Sequence, residues 1–260
     1  MVVSGIVSLL MALLLPAIML TRESARRLEC TNHLRQIGMA CHNYHDVHSC
    51  LPAAWQYDTT GRSASGWAVR LFPYIDQQNL LDVSDQVLCS GYSPLEESRT
   101  TSLTLFRCPS DVAPLTFDLY ESGPGGLSLI FPVANYVGVY GTSEPDEIHP
   151  VPPGDGTFIN SRPVRFSELT RGLSNTIIVG ERSVGIFPAS WLGFDSLDED
   201  AECRVAGSSF EGPNCRQCDE CEFGSRHAGV SAFLFGDGHV LGIADKIDKA
   251  VYQQIARRHE

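Results

Sequence analysis

The sequence predicts an α+β protein: a long N-terminal helix, then a mainly antiparallel β-sheet head with short helices and a C-terminal helix. Three observations predict it. Residues 2–20 run without a charge and lead into further residues with helical spacing. After Pro52 the chain breaks into short segments punctuated by Gly and Pro. Near the C-terminus, Gly236-Asp237-Gly238 separates two apolar segments, and Asp-Gly supplies the positive φ that a tight hairpin turn needs.

The first element is VVSGIVSLLMALLLPAIML, from Val2 to Leu20. As a helix it reaches ~29 Å, close to the ~30 Å hydrocarbon core of a bilayer. A cleaved signal peptide would show a basic residue before the apolar run and a small-x-small site after it, and this segment shows neither. It is therefore expected to stay as a single-pass anchor, kinked at Pro16. Beyond it, Leu28, Thr31, Leu34, Ile37, Cys41, Tyr44 and Val47 recur at steps of three and four, which makes one helical face. Pro52 ends the helix. The division expected is 1–50 for the anchoring helix and 51–260 for the head.

Within the head, a short helix is expected near Asp76–Leu81 and a polar loop over 84–103. Strands are expected at Leu103–Cys108, Asn135–Tyr140, Thr157–Ile159 and Asn175–Glu181, with Trp191–Phe194 pairing to the sheet. Residues 141–156 read as a loop rich in Pro, Gly and acid. Phe166–Arg171 reads as a turn of helix, and 198–221 as an inserted cysteine-rich loop. Ser231–Phe235 and His239–Ile243 form the hairpin. Ala244–Arg257 closes the chain as an amphipathic helix with Ile247, Val251 and Ile255 on one face.

Composition excludes some partners. The 260 residues carry 31 Asp and Glu against 19 Lys and Arg, a net charge of −12, which opposes binding to nucleic-acid phosphates. Nine cysteines suit an oxidising compartment, and an odd count leaves at least one outside any intrachain pairing. Arg22, Arg26 and Arg27 after the apolar run favour a cytoplasmic head under the positive-inside rule. The cysteines favour the opposite side, and the head is expected outside the cytoplasm. On a straight helix Cys30 and Cys41 stand ~16 Å apart, beyond the ~7 Å that a disulfide spans. Bridges from the helix must therefore reach the head.

Cys215-x2-Cys218-x2-Cys221, with Cys203 before it, has the residue types of a metal site. An iron–sulfur run would need a fourth Cys where Ser225 stands, and zinc knuckles would not share Cys218. Local disulfides are favoured over zinc. His42, His45 and His48 lie at helical steps, and packing explains them as well as metal binding does. His227, nine residues, then Asp237-Gly238 invites an acid–base reading. An extended strand between them, however, separates the side chains by on the order of 25–30 Å. The expectation is structural: Asp237 and Gly238 set the turn, and His227 satisfies a buried backbone group. A calcium ion held by Asp237 is the functional alternative, against which stands the lack of a dense Asp run. No Ser nucleophile elbow, His-Glu-x-x-His or phosphate loop is present, and Gly123-Pro-Gly-Gly126 lacks the required Lys-Ser/Thr.

Six blocks carry a resemblance: ARRLECTNHLRQIGMACHNYHD (25–46), GWAVRLFPYIDQQNL (66–80), FRCPSD (106–111), NYVG (135–138), LTRGLSNTIIVGER (169–182) and RHAGVSAFLFGDGHV (226–240). In this order they resemble the planctomycete-type prepilin-like family of unknown function with a C-terminal His-x9-Asp-Gly signature. The resemblance covers nearly the whole chain. It implies a type IV pilin-like helix, an extracytoplasmic αβ head and no assigned enzymatic activity. Such proteins begin with a basic leader and a Gly-Phe-Thr-Leu-Val-Glu processing site. This sequence opens inside the apolar run, so processing and filament incorporation are not implied by it.

The expectation is thus a pilin- or pseudopilin-like envelope protein, not an enzyme, acting in assembly or surface display. Its partners would be membrane lipid and other pilin-like subunits or a secretion-type machine, with no nucleic acid and no cofactor. The alternative is an anchored module binding a glycan or other ligand through Trp55, Trp67 or Trp191. An anchored hydrolase comes last, for want of a catalytic set. The site expectations are His227, Asp237 and Gly238 as a structural signature, Cys30, Cys108, Cys203, Cys215, Cys218 and Cys221 as disulfide candidates, and no catalytic or metal-binding set.

Overall fold

The computed structural model describes residues 2–80, 101–120, 128–145, 153–160, 162–215, 218 and 220–259, excepting the side chains of residues 2–10, 13, 120 and 128. The loop expected over 84–103 lies outside these up to residue 100, as do parts of the 141–156 loop, Gly123–Gly126 and Cys89.

Helix α1 (Val2–His48) passes through Pro16 without a break in helical structure. Its buried face is Cys30, Leu34, Ile37, Ala40 and Cys41, whereas Leu28 and Val47 are exposed. The apolar period was legible, but its ends were not, because the head covers only the middle of the stripe. Gly38 sits where α1 crosses the sheet, and a Cβ there would stand 2.9 Å from Leu234 Cδ1. The helix ends at Ser49, in the left-handed region with φ +59°, three positions ahead of Pro52. Towards its start the side chains of Met11, Leu14, Leu15, Ile18, Met19 and Leu20 are 47–72 % exposed. Among the described residues no helix is long and apolar enough to cross a membrane. Most of the predicted 2–20 span has side chains outside those described.

The head is built on a five-stranded sheet of order β10-β9-β6-β5-β8. Its strands are β5 (Tyr136–Gly141), β6 (Ile177–Glu181), β8 (Ala206–Ser208), β9 (Val230–Phe235) and β10 (Val240–Ala244). All neighbours are antiparallel except β5 and β8. A second sheet joins β1 (Trp55–Tyr57), β2 (Ser63–Gly66) and β7 (Gly193–Asp195), and β3 (Thr116–Tyr120) pairs with β4 (Ser128–Pro132). α1 and the second sheet share one apolar core that contains Leu34, Ile37, Trp55, Trp67, Phe158, Trp191 and Leu234. The other face of the five-stranded sheet packs Val137, Ile177, Phe223 and Phe233 against the closing helix α2 (Lys249–Ala256). The structure is therefore α+β with mainly antiparallel sheets, as the sequence predicts.

Several elements differ from expectation. Leu103–Cys108 is not a strand: Thr104–Phe106 is a 3-10 turn whose Phe106 carbonyl accepts the Asn135 N–H at 2.8 Å. Thr157–Ile159 forms no strand, because the N–H groups of Thr157 and Phe158 both converge on the Val139 carbonyl. The segment at Trp191–Phe194 pairs through β7 with β2 rather than with the five-stranded sheet. A 3-10 helix at Trp67–Tyr74 precedes the expected short helix, of which residues 78–80 are described as helical. The stretch 198–221 is no inserted surface loop, since it contributes the buried Ala201–Arg204 turn and the edge strand β8. The closing helix starts at Lys249 because β10 holds residues to Ala244. Asp248 caps it, accepting from the N–H groups of Ala250 and Val251. Its buried contacts come from Tyr252 and Ala256, and Val251 faces outward.

Candidate functional site

Where α1 leaves the head, four segments far apart in sequence bring Cys30, Cys108, Glu181 and His227 together. All four are buried, and one ligand-type atom from each lies within 4.8 Å of every other. Cys30 comes from α1. Cys108 follows the 3-10 turn, and its N–H donates to Asn135 Oδ1 at 2.9 Å. Glu181 ends β6, and its Oε2 accepts weakly from the Ala232 N–H at 3.4 Å. His227 stands just before β9, its N–H donating to Ser225 Oγ at 3.0 Å.

His227 is the hub. Its Nε2 lies 3.3 Å from Cys30 Sγ, 3.5 Å from Cys108 Sγ and 3.9 Å from Glu181 Oε1. On the other side of the ring, Nδ1 meets Glu23 Oε1 at 2.6 Å. Glu23 is seven residues, two helical turns, before Cys30 on α1, so both project from the same helical face. Ser110 Oγ donates to the Glu23 carboxylate at 3.1 Å. The ring thus spans two residues of α1 and two of the head.

The electrostatics follow from burial. Burial alone pulls the His227 imidazole down, but its contacts with Cys108, Glu181 and Glu23 outweigh this and leave it raised to about 9. Burial raises the Glu181 carboxyl, against the opposing pull of His227. The Cys108 thiol is raised by its contact with Cys30 and by burial. Glu23 is only slightly buried, and burial's upward push loses to the hydrogen bonds from His227 and Ser110, so it titrates below the usual carboxylate range. Chemically, the cluster offers two sulfurs, one imidazole nitrogen and one carboxylate oxygen at a single point.

A buried frame holds these groups. Asp111 Oδ2 accepts from Asn135 Nδ2 at 2.6 Å and from the Val184 N–H at 2.7 Å, and Arg226 reaches Asp111 Oδ1 at 3.3 Å. Arg182, fully buried, donates to the carbonyls of Cys203, Ala206 and Cys221. A polar groove of about 740 Å³ runs beside His227 and Arg226 towards Cys215 and Cys218.

The sequence-predicted site residues distribute as follows. Cys203 is bonded to Cys221 and Cys215 to Cys218, as the expectation of local disulfides has it. Cys30 and Cys108 face each other as free thiols, and Cys41 and Cys50 are also free. Among the described cysteines, half are therefore in disulfides. Gly238 has φ +90° in the β9–β10 turn, and Asp237 Oδ1 accepts from the His239 N–H at 3.1 Å. The turn reading of Asp237 and Gly238 holds. His227 differs from expectation: among the described residues its ring meets no backbone carbonyl but joins the side-chain cluster, because the strand entrance lies against α1. His42 and His45 pack on Phe166, and His48 Nε2 meets Tyr74 Oη at 3.2 Å. Trp55, Trp67 and Trp191 are core residues, 1–2 % exposed, and offer no surface for a sugar to stack on.

Sequence reasoning singled out Cys30, Cys108 and His227 separately and did not single out Glu181 or Glu23. A signal was present in the quoted blocks. ARRLEC, FRCPSD, NYVG, VGER and RHAG supply Cys30, Cys108 and Asp111, Asn135, Glu181 and Arg182, and Arg226 and His227, and the fold brings all five blocks to this junction.

A family model described as "Protein of unknown function (DUF1559)" matches residues 20–250. No curated protein and no solved structure matches the chain.

Proposed function

We propose that this chain, which belongs to the DUF1559 family, is a pilin-like envelope protein. Its work is assembly or display of the head, and it carries out no catalysis. One observation carries the reading: α1 is a continuous helix from Val2 to His48, yet its first buried residue among those described is Cys30. At 1.5 Å per residue, ~30 Å of helix precedes Glu23, the first residue of α1 among those described that contacts the head. The described part of that extension exposes Met11, Leu14, Leu15, Ile18, Met19 and Leu20. Apolar side chains exposed in a row favour lipid or neighbouring helices around them. Uncharged residues 2–20 match the thickness of a bilayer core, which supports a membrane anchor. The disulfides Cys203–Cys221 and Cys215–Cys218 suit a head outside the cytoplasm.

The ligand-binding alternative retains one supporting observation, the polar groove beside His227. It cannot use the tryptophans, which are buried.

The experiment is expression of the full chain with a single added cysteine at Leu15 or Ile18, followed by membrane fractionation and oxidative cross-linking. Expected are retention in carbonate-washed membranes, protease access to the head from outside, and a disulfide-linked dimer that depends on the added cysteine. Recovery as a soluble monomer would overturn the reading. Membrane retention with no cross-linked species would favour the binding module.

A further inference from the structure

We propose that Cys30, Cys108, Glu181 and His227 form a structural zinc site that clamps α1 to the head. The geometry is that of a tetrahedral ion. With bonds of about 2.3 Å to sulfur and about 2.0–2.2 Å to nitrogen or oxygen, tetrahedral ligands stand on the order of 3.3–3.8 Å apart. The observed separations from His227 Nε2, at 3.3, 3.5 and 3.9 Å, bracket that range. The four atoms all lie within 4.8 Å of one another, so the widest pair closes by up to about 1 Å around the ion.

The surroundings are those of a prepared ligand set. A ligating imidazole characteristically gives its second N–H to a carboxylate, which fixes the tautomer and aims the free nitrogen at the metal. Here Nδ1 faces Glu23 at 2.6 Å, and Glu23 is itself held by Ser110. Cys108 is oriented through its backbone by Asn135, and Glu181 Oε2 is engaged by Ala232, which leaves Oε1 for the ion. Without a cation, two thiols and a buried carboxylate crowd one point, with an imidazole at 3.9 Å and the Ala232 N–H at 3.4 Å against the carboxylate. A divalent ion removes that frustration, because buried charge is tolerated when coordinated.

The donor set selects the metal. Two sulfurs and an imidazole exclude calcium and magnesium, which take oxygen ligands. Four protein ligands fill a tetrahedral sphere and leave no position for substrate, so the site is structural. A Cys30–Cys108 disulfide is the competing chemistry. It would leave His227 Nε2 and Glu181 Oε1 buried beside an apolar bridge that neither can use. In this head two other cysteine pairs are bonded, whereas these two thiols are separate and turned towards the imidazole.

The consequence is mechanical. Cys30 and Glu23 belong to α1, and Cys108, Glu181 and His227 belong to the head, so one ion ties the two parts at the point where the helix emerges. The zinc assignment does not depend on whether α1 lies in a membrane or among other helices.

The test uses the full chain purified in mild detergent without chelator. Elemental analysis should find one zinc per chain. Exchange for cobalt should give thiolate-to-cobalt charge transfer and the strong visible bands of a tetrahedral site. His227→Cys should keep the ion and strengthen the charge transfer, and Cys30→Ser should lose it. Glu23→Gln should weaken zinc binding on the order of 10–100-fold. Alkylation without reductant should label Cys30 and Cys108 only after chelation, with Cys203, Cys215, Cys218 and Cys221 remaining blocked. No zinc together with a Cys30–Cys108 disulfide by mass spectrometry would overturn the proposal, as would full zinc content in Cys30→Ser. Either result leaves the membrane-fractionation outcome untouched.

Discussion

Replacing Glu222 by Gln should reverse the order of stability of the two proteins' heads as pH rises. Glu222 is 1 % exposed and follows the bonded Cys221, with its backbone bridged to Ser208 of β8. Its Oε1 accepts the Glu211 N–H at 2.9 Å, and its Oε2 has no hydrogen-bond partner among the described residues. Burial pushes the carboxyl from 4.5 to about 8, with the Glu211 N–H and Arg182 opposing and the charges of Glu144 and Glu211 assisting. A carboxyl raised on folding favours the native state while it can remain protonated. Its contribution is therefore complete below the unfolded value near 4.5 and is lost as pH climbs through about 8. At ~1.4 kcal/mol per pH unit, a displacement of this size corresponds to about 3–5 kcal/mol.

Gln keeps the shape and the acceptor but cannot ionise. The assay is urea unfolding of both proteins from pH 5 to 9, with disulfides intact, followed by the fluorescence of the three buried tryptophans. The difference between the proteins should move by about 3–5 kcal/mol in favour of Gln between pH 5 and about 8 and then level off. Other titrating groups, His227 and Glu181 included, cancel in the difference. A difference that stays flat across the range would show that Glu222 ionises in the folded protein without cost, and the burial argument would fail.

Three further outcomes are expected. Arg182→Met should destabilise the head by roughly 3–5 kcal/mol in the same urea assay, because three buried carbonyls, of Cys203, Ala206 and Cys221, lose their donor; an unchanged midpoint would refute the clamp. Gly238→Val should cost about 1–2 kcal/mol in thermal unfolding, since φ is +90° and the space around it is open, so that strain alone acts. Gly38→Val should cost about 1–3 kcal/mol and increase proteolysis between α1 and the head, as the added Cβ would press on Leu234 Cδ1 at 2.9 Å; resistance equal to wild type would mean that the helix has room to shift.

How much was legible in the sequence depended on how local the deciding interactions were. The helix to His48, the turn at Asp237-Gly238 and strands at 136–141 and 177–181 follow from neighbours within a few positions. Periodicity and turn stereochemistry act at that range. The same reasoning misread Leu103–Cys108 as a strand, because its backbone is settled by Asn135 and not by its own apolar pattern. It misread 198–221 as surface, because polar spelling concealed a strand that enters the sheet only by pairing with β5, about 70 residues away. It offered the tryptophans as a binding surface, because an indole's composition says nothing about which side of the fold it faces.

The chain's own letters therefore determined the long helix and the hairpin, through contacts a few residues long. Only the tertiary structure decided which of its chemistry-bearing side chains meet. Cys30, Cys108, Glu181 and His227 stand in four separate segments, and no spacing rule relates them. They converge because α1 must bury Cys30, Leu34 and Ile37 against β9 and the 3-10 turn at Thr104–Phe106. That long-range burial brings the end of β6 and the entrance of β9 to the same point, and there a sequence of scattered residues becomes a single site.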